Sequence, residues 1–266
     1  MAANSSRARL AIIGGTGVYD PKLFEDIKEV KIPTPYGPTS PFLTIGKFKD
    51  TNVAFIPRHG RDHSIPPHRI NYRANIFALK EIGVERIIAV SSVGSLKEDL
   101  KPGEFVFPDQ FIDRTKNRLD TFFEGARVVH ISSADPFCPQ LLNLLSSVSR
   151  KNSIISHKGA TYVCIEGPRF STRSESKLFR QWGADIVGMT LYPECMLARE
   201  AEICYVSLSM VTDYDVWAGK PVSAEEVSTV MGNNISSAKK LLLSALEVLP
   251  TERTCNCSRA LSGAMI

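Results

Sequence analysis

Apolar residues recur along the chain in two alternating rhythms. Short continuous runs closed by Gly, Pro or acidic residues read as buried strands: RLAIIGG from Arg9, NVAFIPR from Asn52, VERIIAVSSVG from Val84, EFVFPD from Glu104, TYVCIEG from Thr161, ADIVGM from Ala184 and ICYVSLSM from Ile203. Between them, spacing near 3.6 predicts helices over about 70–80, 141–150, 173–182 and 193–201. The longest predicted helix runs from Ala224 to Val248. Its Val227, Val230, Met231, Ile235, Ala238, Leu242 and Ala245 recur at helical spacing, and Ser223 with Glu226 forms a capping box. PTPYGPTSP, from Pro33, reads as a loop too short to link two domains. Strands alternating with helices predict an α/β fold: a single-domain, three-layer αβα sandwich with a mixed central sheet over 1–249, then a polar tail over 250–266. In such sheets ligands gather where strands end.

Composition narrows this little. The chain's 266 residues, 43% hydrophobic and 23% charged, are those of an ordinary globular protein with a substantial core. No stretch approaches the roughly 18–20 apolar residues of a membrane span, and the opening MAANSSRARLAIIGG has too short an apolar run for a secretory signal. The expectation is a cytoplasmic protein without a membrane partner. A net charge of +4 is too mild to argue for nucleic acid. Its distribution says more, because Arg58, His59, Arg61, His63, His68, Arg69 and Arg73 are opposed only by Asp62. Such a cluster suits a small anion.

The six cysteines, at 138, 164, 195, 204, 255 and 257, include no CxxC pair and no Cys/His spacing typical of zinc. Neither a metal nor a cofactor is expected. Cys255 and Cys257 form a C-x-C in the tail, read either as exposed thiols or as a disulfide, with Cys138 and Cys204 as a second candidate pair.

Four strand ends carry chemistry. Gly14-Gly15-Thr16-Gly17 follows the first strand, where glycines let backbone amides approach an anion and Thr16 adds a hydroxyl. A dinucleotide fingerprint would need a further glycine where Asp20 stands, and no Walker lysine follows. Arg58-His59 closes the next strand, offering a guanidinium fork and an imidazole donor to phosphate oxygens, although a solvated charged loop would look alike. Ser91, Ser92 and Gly94 add hydroxyls and amides. Thr212-Asp213-Tyr214-Asp215 ends the last strand with carboxyls two residues apart, able to accept from an exocyclic amino group or, protonated, to donate to a ring nitrogen.

Taken in order, GGTG, RHGRDH, NYRAN, GSL, DQFIDRT, DPFCP, EGPRFS, GMTLYPE and TDYD span roughly residues 10–245. This set resembles the 5′-methylthioadenosine phosphorylases, within the trimeric purine nucleoside phosphorylases. The resemblance implies that Thr16, Arg58, His59, Ser91 and Thr190 hold inorganic phosphate as co-substrate, helped by the amide of Ser92. It places Met189 against the ribose, Phe170 and Ser171 at the base, and Asp213 and Asp215 at the purine edge, with Asp213 as the catalytic acid. His63 and His130 would lie near the 5′ end of the sugar, His130 reaching a neighbouring subunit's site in a homotrimer or dimer of trimers.

Two departures stand out: Ser91-Ser92 replaces the Thr-Ala of some members, and Ala224 replaces a valine beside the 5′ substituent. Relatives that prefer 6-oxopurines carry asparagine where this chain has Asp213, which favours adenine. The implied reaction converts 5′-methylthioadenosine and phosphate to adenine and 5-methylthioribose 1-phosphate, a step in purine and methionine salvage. The alternatives are a 6-oxopurine phosphorylase, a hydrolytic nucleosidase and a non-catalytic purine-binding module.

Overall fold

Aliphatic runs with no polar face need cover on both sides, and the strands they form lie in the middle of one mixed sheet. The computed structural model describes residues 7–14, 24–41, 43–125 and 127–265. Its strands are β1 (Leu10–Gly14), β2 (Glu25–Glu29), β3 (Thr44–Phe48), β4 (Thr51–Pro57), β5 (Arg86–Ser95), β6 (Phe105–Phe107), β7 (Gln110–Arg114), β8 (Ser156–Lys158), β9 (Thr161–Ile165), β10 (Ile186–Gly188) and β11 (Cys204–Asp213). The helices are α1 (Tyr72–Glu81), α2 (Pro139–Lys151), α3 (Arg173–Gln181), α4 (Leu191–Glu200) and α5 (Ala224–Glu247). The sheet runs β2-β3-β4-β1-β5-β10-β9-β7, and β11, β6 and β8 branch from β5.

β5 organises the molecule. Over Arg86–Ala89 it lies between β1 and β11, both parallel to it; further along, Gly94 and Ser95 pair antiparallel with β10 while β11 continues alongside. Since β4 is parallel to β1, the ends of β1, β4, β5 and β11 point to one edge of the sheet. The register of β11 against β5 slips between Val211 and Asp213, a bulge that re-aims the side chains at the strand's end. α1 packs on α4 and α2 on α5, and α4 and α5 each reach β11, which gives the helical layers of an α/β sandwich.

All seven predicted strands and five predicted helices are present, with shifts at their ends. Four strands escape the apolar pattern. β2 (EDIKE) and β7 (QFIDR) are edge strands with mostly polar, exposed faces, β8 (SHK) is three residues long, and β3 (TIGKF) is interrupted by Gly and Lys. α4 is helical only from Pro193, because Tyr192 is extended at φ −104° and ψ 134°. Ser223 Oγ accepts the Glu226 amide at 3.1 Å, which is half of the expected box. The complete, reciprocal box is at α3, between Thr172 and Glu175. The apolar stripe of α5 divides: Ala238, Leu241, Leu242 and Ala245 are buried in the core, whereas Val227 and Met231 line a cavity. No helix among the described residues is long and apolar enough to cross a membrane.

Candidate active site

Strand ends and the start of α4 enclose a cavity of about 510 Å³. Arg58 follows β4 and is 1% exposed. Its guanidinium forks onto Glu194 in the first turn of α4, with Nε donating to Oε2 at 2.9 Å and Nη2 to Oε1 at 2.7 Å. Nη1 donates to the Val90 carbonyl at 2.7 Å, and Nη2 also reaches the Ile13 carbonyl at 3.5 Å. Of the five N–H groups of a guanidinium, a single one, on Nη1, remains for a ligand. Burial alone would lower the Arg58 pKa; the charge and hydrogen bonds of Glu194 outweigh it and keep the group ionised. Tyr205 completes the arrangement by donating to Glu194 Oε1 at 2.9 Å.

His59 corrects an expectation. Its Nδ1 lies 2.8 Å from the Ile65 carbonyl, and since a carbonyl only accepts, Nδ1 carries the proton. Burial, then the neighbouring Arg58 charge, push its pKa down to about 4. At neutral pH the ring is therefore uncharged and Nε2 is an acceptor, suited to the proton of a phosphate P–OH and unable to donate. His63 is exposed at the rim and stacks on His59, with ring centroids 4.2 Å apart and planes at 20°. Half-buried Ser91 and Ser92 and buried Thr190, the N-cap of α4, share this wall. Thr16 lies outside the described residues.

The opposite wall holds the carboxyls. Asp213 Oδ1 accepts the Asp215 amide at 2.8 Å. Thr212 Oγ1 lies 2.8 Å from Asp213 Oδ2 and 3.2 Å from the Val93 carbonyl, and its single proton serves only one of them. Burial pushes the Asp213 pKa up, against the two hydrogen bonds it accepts. The carboxyl fits here because of Gly94, where a Cβ would fall 2.8 Å from Asp213 Oδ1. Asp215 is 6% exposed and its pKa is also raised, chiefly by burial. Its carboxyl lies beside the hydroxyls of Ser176 and Ser171, which oppose that rise, and Asp215 and Ser171 both line the cavity.

Phe170 stands 37% exposed at the mouth, and Met189 lies against the loop at Gly167. Gly167 has φ +64°, and a Cβ there would meet the Met189 sulfur at 2.6 Å. Ala224, Val227, Ser228 and Met231 of α5 close the far side. His130 is exposed and outside this cavity; its amide donates to the Ala264 carbonyl at 2.8 Å, beside a bridge between Val129 and Met265.

Three residues that the sequence did not single out shape the site. Glu194 holds Arg58. Arg118, with its side chain 4% exposed, donates to the carbonyls of Glu166, Met189 and Tyr192 at 2.7, 2.9 and 2.6 Å and so ties together two segments of the cavity wall. Tyr162 is fully buried, with its hydroxyl beside Ser91 and the Thr190 backbone. No local spacing signals any of the three, because each meets its partners across the sheet. Neither candidate disulfide, Cys255–Cys257 or Cys138–Cys204, is formed in this structure, and the sulfurs of these four cysteines lie within 4.8 Å of one another.

Comparison with known proteins agrees with this geometry. A family model described as the phosphorylase superfamily matches residues 9–247. The S-methyl-5′-thioadenosine phosphorylase of Thermofilum pendens is 58% identical over 98% of this chain and 99% of its own. Among solved structures, a methylthioadenosine phosphorylase from an antarctic soil metagenomic library matches with a TM-score of 0.94 and 44% identity, covering 98% of this chain and 93% of that one. The Schistosoma mansoni methylthioadenosine phosphorylase in complex with adenine matches with a TM-score of 0.90 and 36% identity, covering 97% of each chain.

Proposed function

The chain belongs to the phosphorylase superfamily, and from that membership and the cavity we propose that it cleaves 5′-methylthioadenosine with inorganic phosphate, giving adenine and 5-methylthioribose 1-phosphate. One observation carries the reading beyond the relatives' names. A carboxyl with a raised pKa, Asp213, and a set of anion-binding groups face a single cavity sized for a small molecule.

Cleavage of the glycosidic bond leaves negative charge on the purine and positive charge on the ribose. Protonated Asp213 donates to N7 and relieves the first. Phosphate relieves the second and then attacks C1′. Ser91, Thr190, the Ser92 amide and the spare Nη1–H of Arg58 donate to the phosphate oxygens, and His59 Nε2 accepts its P–OH. Asp215 and Ser171 supply polar atoms for the base edge, Phe170 an aromatic face, and Met189 an apolar surface for the ribose. His63 and Ala224 flank the 5′ group. Within a homotrimer or dimer of trimers, His130 would extend into a neighbouring subunit's cavity. Phosphate is the co-substrate and no cofactor takes part; the substrates are small soluble metabolites, which fits the cytoplasm.

The decisive assay incubates purified protein with methylthioadenosine, with and without phosphate, and follows adenine and sugar phosphate. Adenine formed only with phosphate is expected. No adenine overturns the enzymatic reading, and adenine formed equally well without phosphate replaces phosphorolysis with hydrolysis.

A further inference from the structure

β7, β9 and β10 lie side by side and parallel, and they stop together at the edge of the cavity: Arg114 pairs with Ile165, and Gly188 with Cys164. Past that edge the chain leaves the ladder, and the backbone acceptors that follow need other donors. Arg118, a short loop beyond the end of β7, supplies them. Nη2 donates to the Glu166 carbonyl at 2.7 Å and reaches the Ile165 carbonyl at 3.4 Å. Nη1 donates to the carbonyls of Met189 at 2.9 Å and Tyr192 at 2.6 Å, and Nε reaches Glu166 Oε2 at 3.2 Å. All five N–H groups are thereby used.

The segments tied in this way carry one wall of the cavity, Phe170 and Ser171 beyond Glu166, and Met189 and Thr190 beyond β10. Arg118 itself is not on that wall, and its side chain is 4% exposed. The Met189–Thr190 peptide is held from both sides. Its carbonyl faces Arg118, and in a planar trans peptide the following N–H points the opposite way, where the Tyr162 hydroxyl lies beside the Thr190 backbone. The Lys116 amide donates to Glu166 Oε2 at 2.7 Å, so the counter-charge of Arg118 is fixed as well. A lysine cannot take over this task, because its ammonium is a point charge with three donors, whereas the guanidinium is a rigid fork with five.

We propose that Arg118 is a positioning residue for the phosphorolysis proposed above, on which this role rests. It fixes the Glu166 and Met189 segments against each other, so that Thr190 and the groups at the base stand in the alignment that cleavage requires. The role concerns rate more than affinity. Asp213 and Ser91 keep their places when Arg118 is lost, whereas a wall displaced by about 1 Å costs on the order of 100-fold in rate.

The test measures kcat and KM for methylthioadenosine in Arg118→Lys, Arg118→Ala and, as a control at an exposed side chain of the same loop, Lys116→Ala, with urea unfolding to give the folded fraction. Arg118→Lys should lose about 10–100-fold in kcat, with a far smaller change in KM, and Lys116→Ala should match the wild type. Arg118→Ala opens a slot lined by four carbonyls and the Glu166 carboxylate, so added guanidinium ion should restore kcat saturably and methylammonium should not. A merely structural role lowers the folded fraction and gives no such selective rescue. Wild-type kcat in Arg118→Lys overturns the proposal, as does a folded Arg118→Ala whose lost rate guanidinium leaves unrestored. An inactive wild-type chain defeats the proposed function and this role with it, whereas an active wild type with unaffected Arg118 variants defeats only the role of Arg118.

Discussion

Replacing Glu194 by Gln removes the counter-charge of Arg58 while keeping its shape. Both side chains are nearly inaccessible, at 2% and 1% exposure, and the pair is bidentate, so solvent cannot take over the lost role. Breaking one partner of such a buried pair costs about 3–5 kcal/mol. For a chain of this size that corresponds to a fall in Tm of roughly 6–20 °C. Urea unfolding followed by circular dichroism measures it, with an unchanged slope showing that the native state is intact. Phosphate supplies a new anion near Arg58, and so it should raise the Tm of Glu194→Gln more than that of the wild type. The Arg58→Met/Glu194→Gln double variant, which carries no unpaired charge, should recover part of the loss. A cost below about 1 kcal/mol, or strictly additive effects in the double variant, would refute the view that Glu194 keeps Arg58 charged and in place.

Asp213→Asn should lower kcat/KM for 6-aminopurine nucleosides by about 10²–10⁴-fold while sparing 6-oxopurine ones; equal losses on both would remove Asp213 from the acid role. His59 has a folded pKa of about 4, below the roughly 6.5 of an unfolded chain, so its contribution to stability is complete above pH 6.5 and is lost as pH falls toward 4. The loss is at most about 3 kcal/mol. His59→Gln should flatten that part of the stability–pH curve, and an unchanged curve would count against burial of a neutral ring. Tyr162→Phe should raise the KM for phosphate, since its hydroxyl lies beside Ser91 and Thr190, while costing the free protein no more than about 1.5 kcal/mol. An unaltered phosphate KM would leave Tyr162 as core packing only.

Much of the fold is legible because buried strands and amphipathic helices carry periods of their own. The runs at Leu10–Gly14, Arg86–Ser95 and Cys204–Asp213 are apolar enough to need two covered faces, and TDYD announces its carboxyls from the sequence. What escapes the sequence depends on partners distant along the chain. The Arg58 fork looks free for phosphate until Glu194, 136 residues on, occupies it. The imidazole of His59 looks like a donor until the Ile65 carbonyl fixes its proton. Spacing rules do not foresee that the cysteines at 138, 204, 255 and 257 gather, because three separate segments bring them together. Charged edge strands such as Glu25–Glu29 have no buried face, and so no alternation to read.

The way β5 is paired has a consequence for what evolution or design could change here. Ser91 and Gly94 sit three residues apart on one strand, the first pairing with Ser209 and the second with Asp213. At about 3.3 Å per residue they mark off roughly 10 Å between the Ser91 end and the Asp213 end of the cavity. That ruler is peptide backbone, locked by neighbours on either side. Side-chain substitutions change the chemistry offered at each end. The distance between those two ends stays fixed, since adding or deleting one residue would shift it by a full step of about 3.3 Å and turn the following side chains to the wrong face.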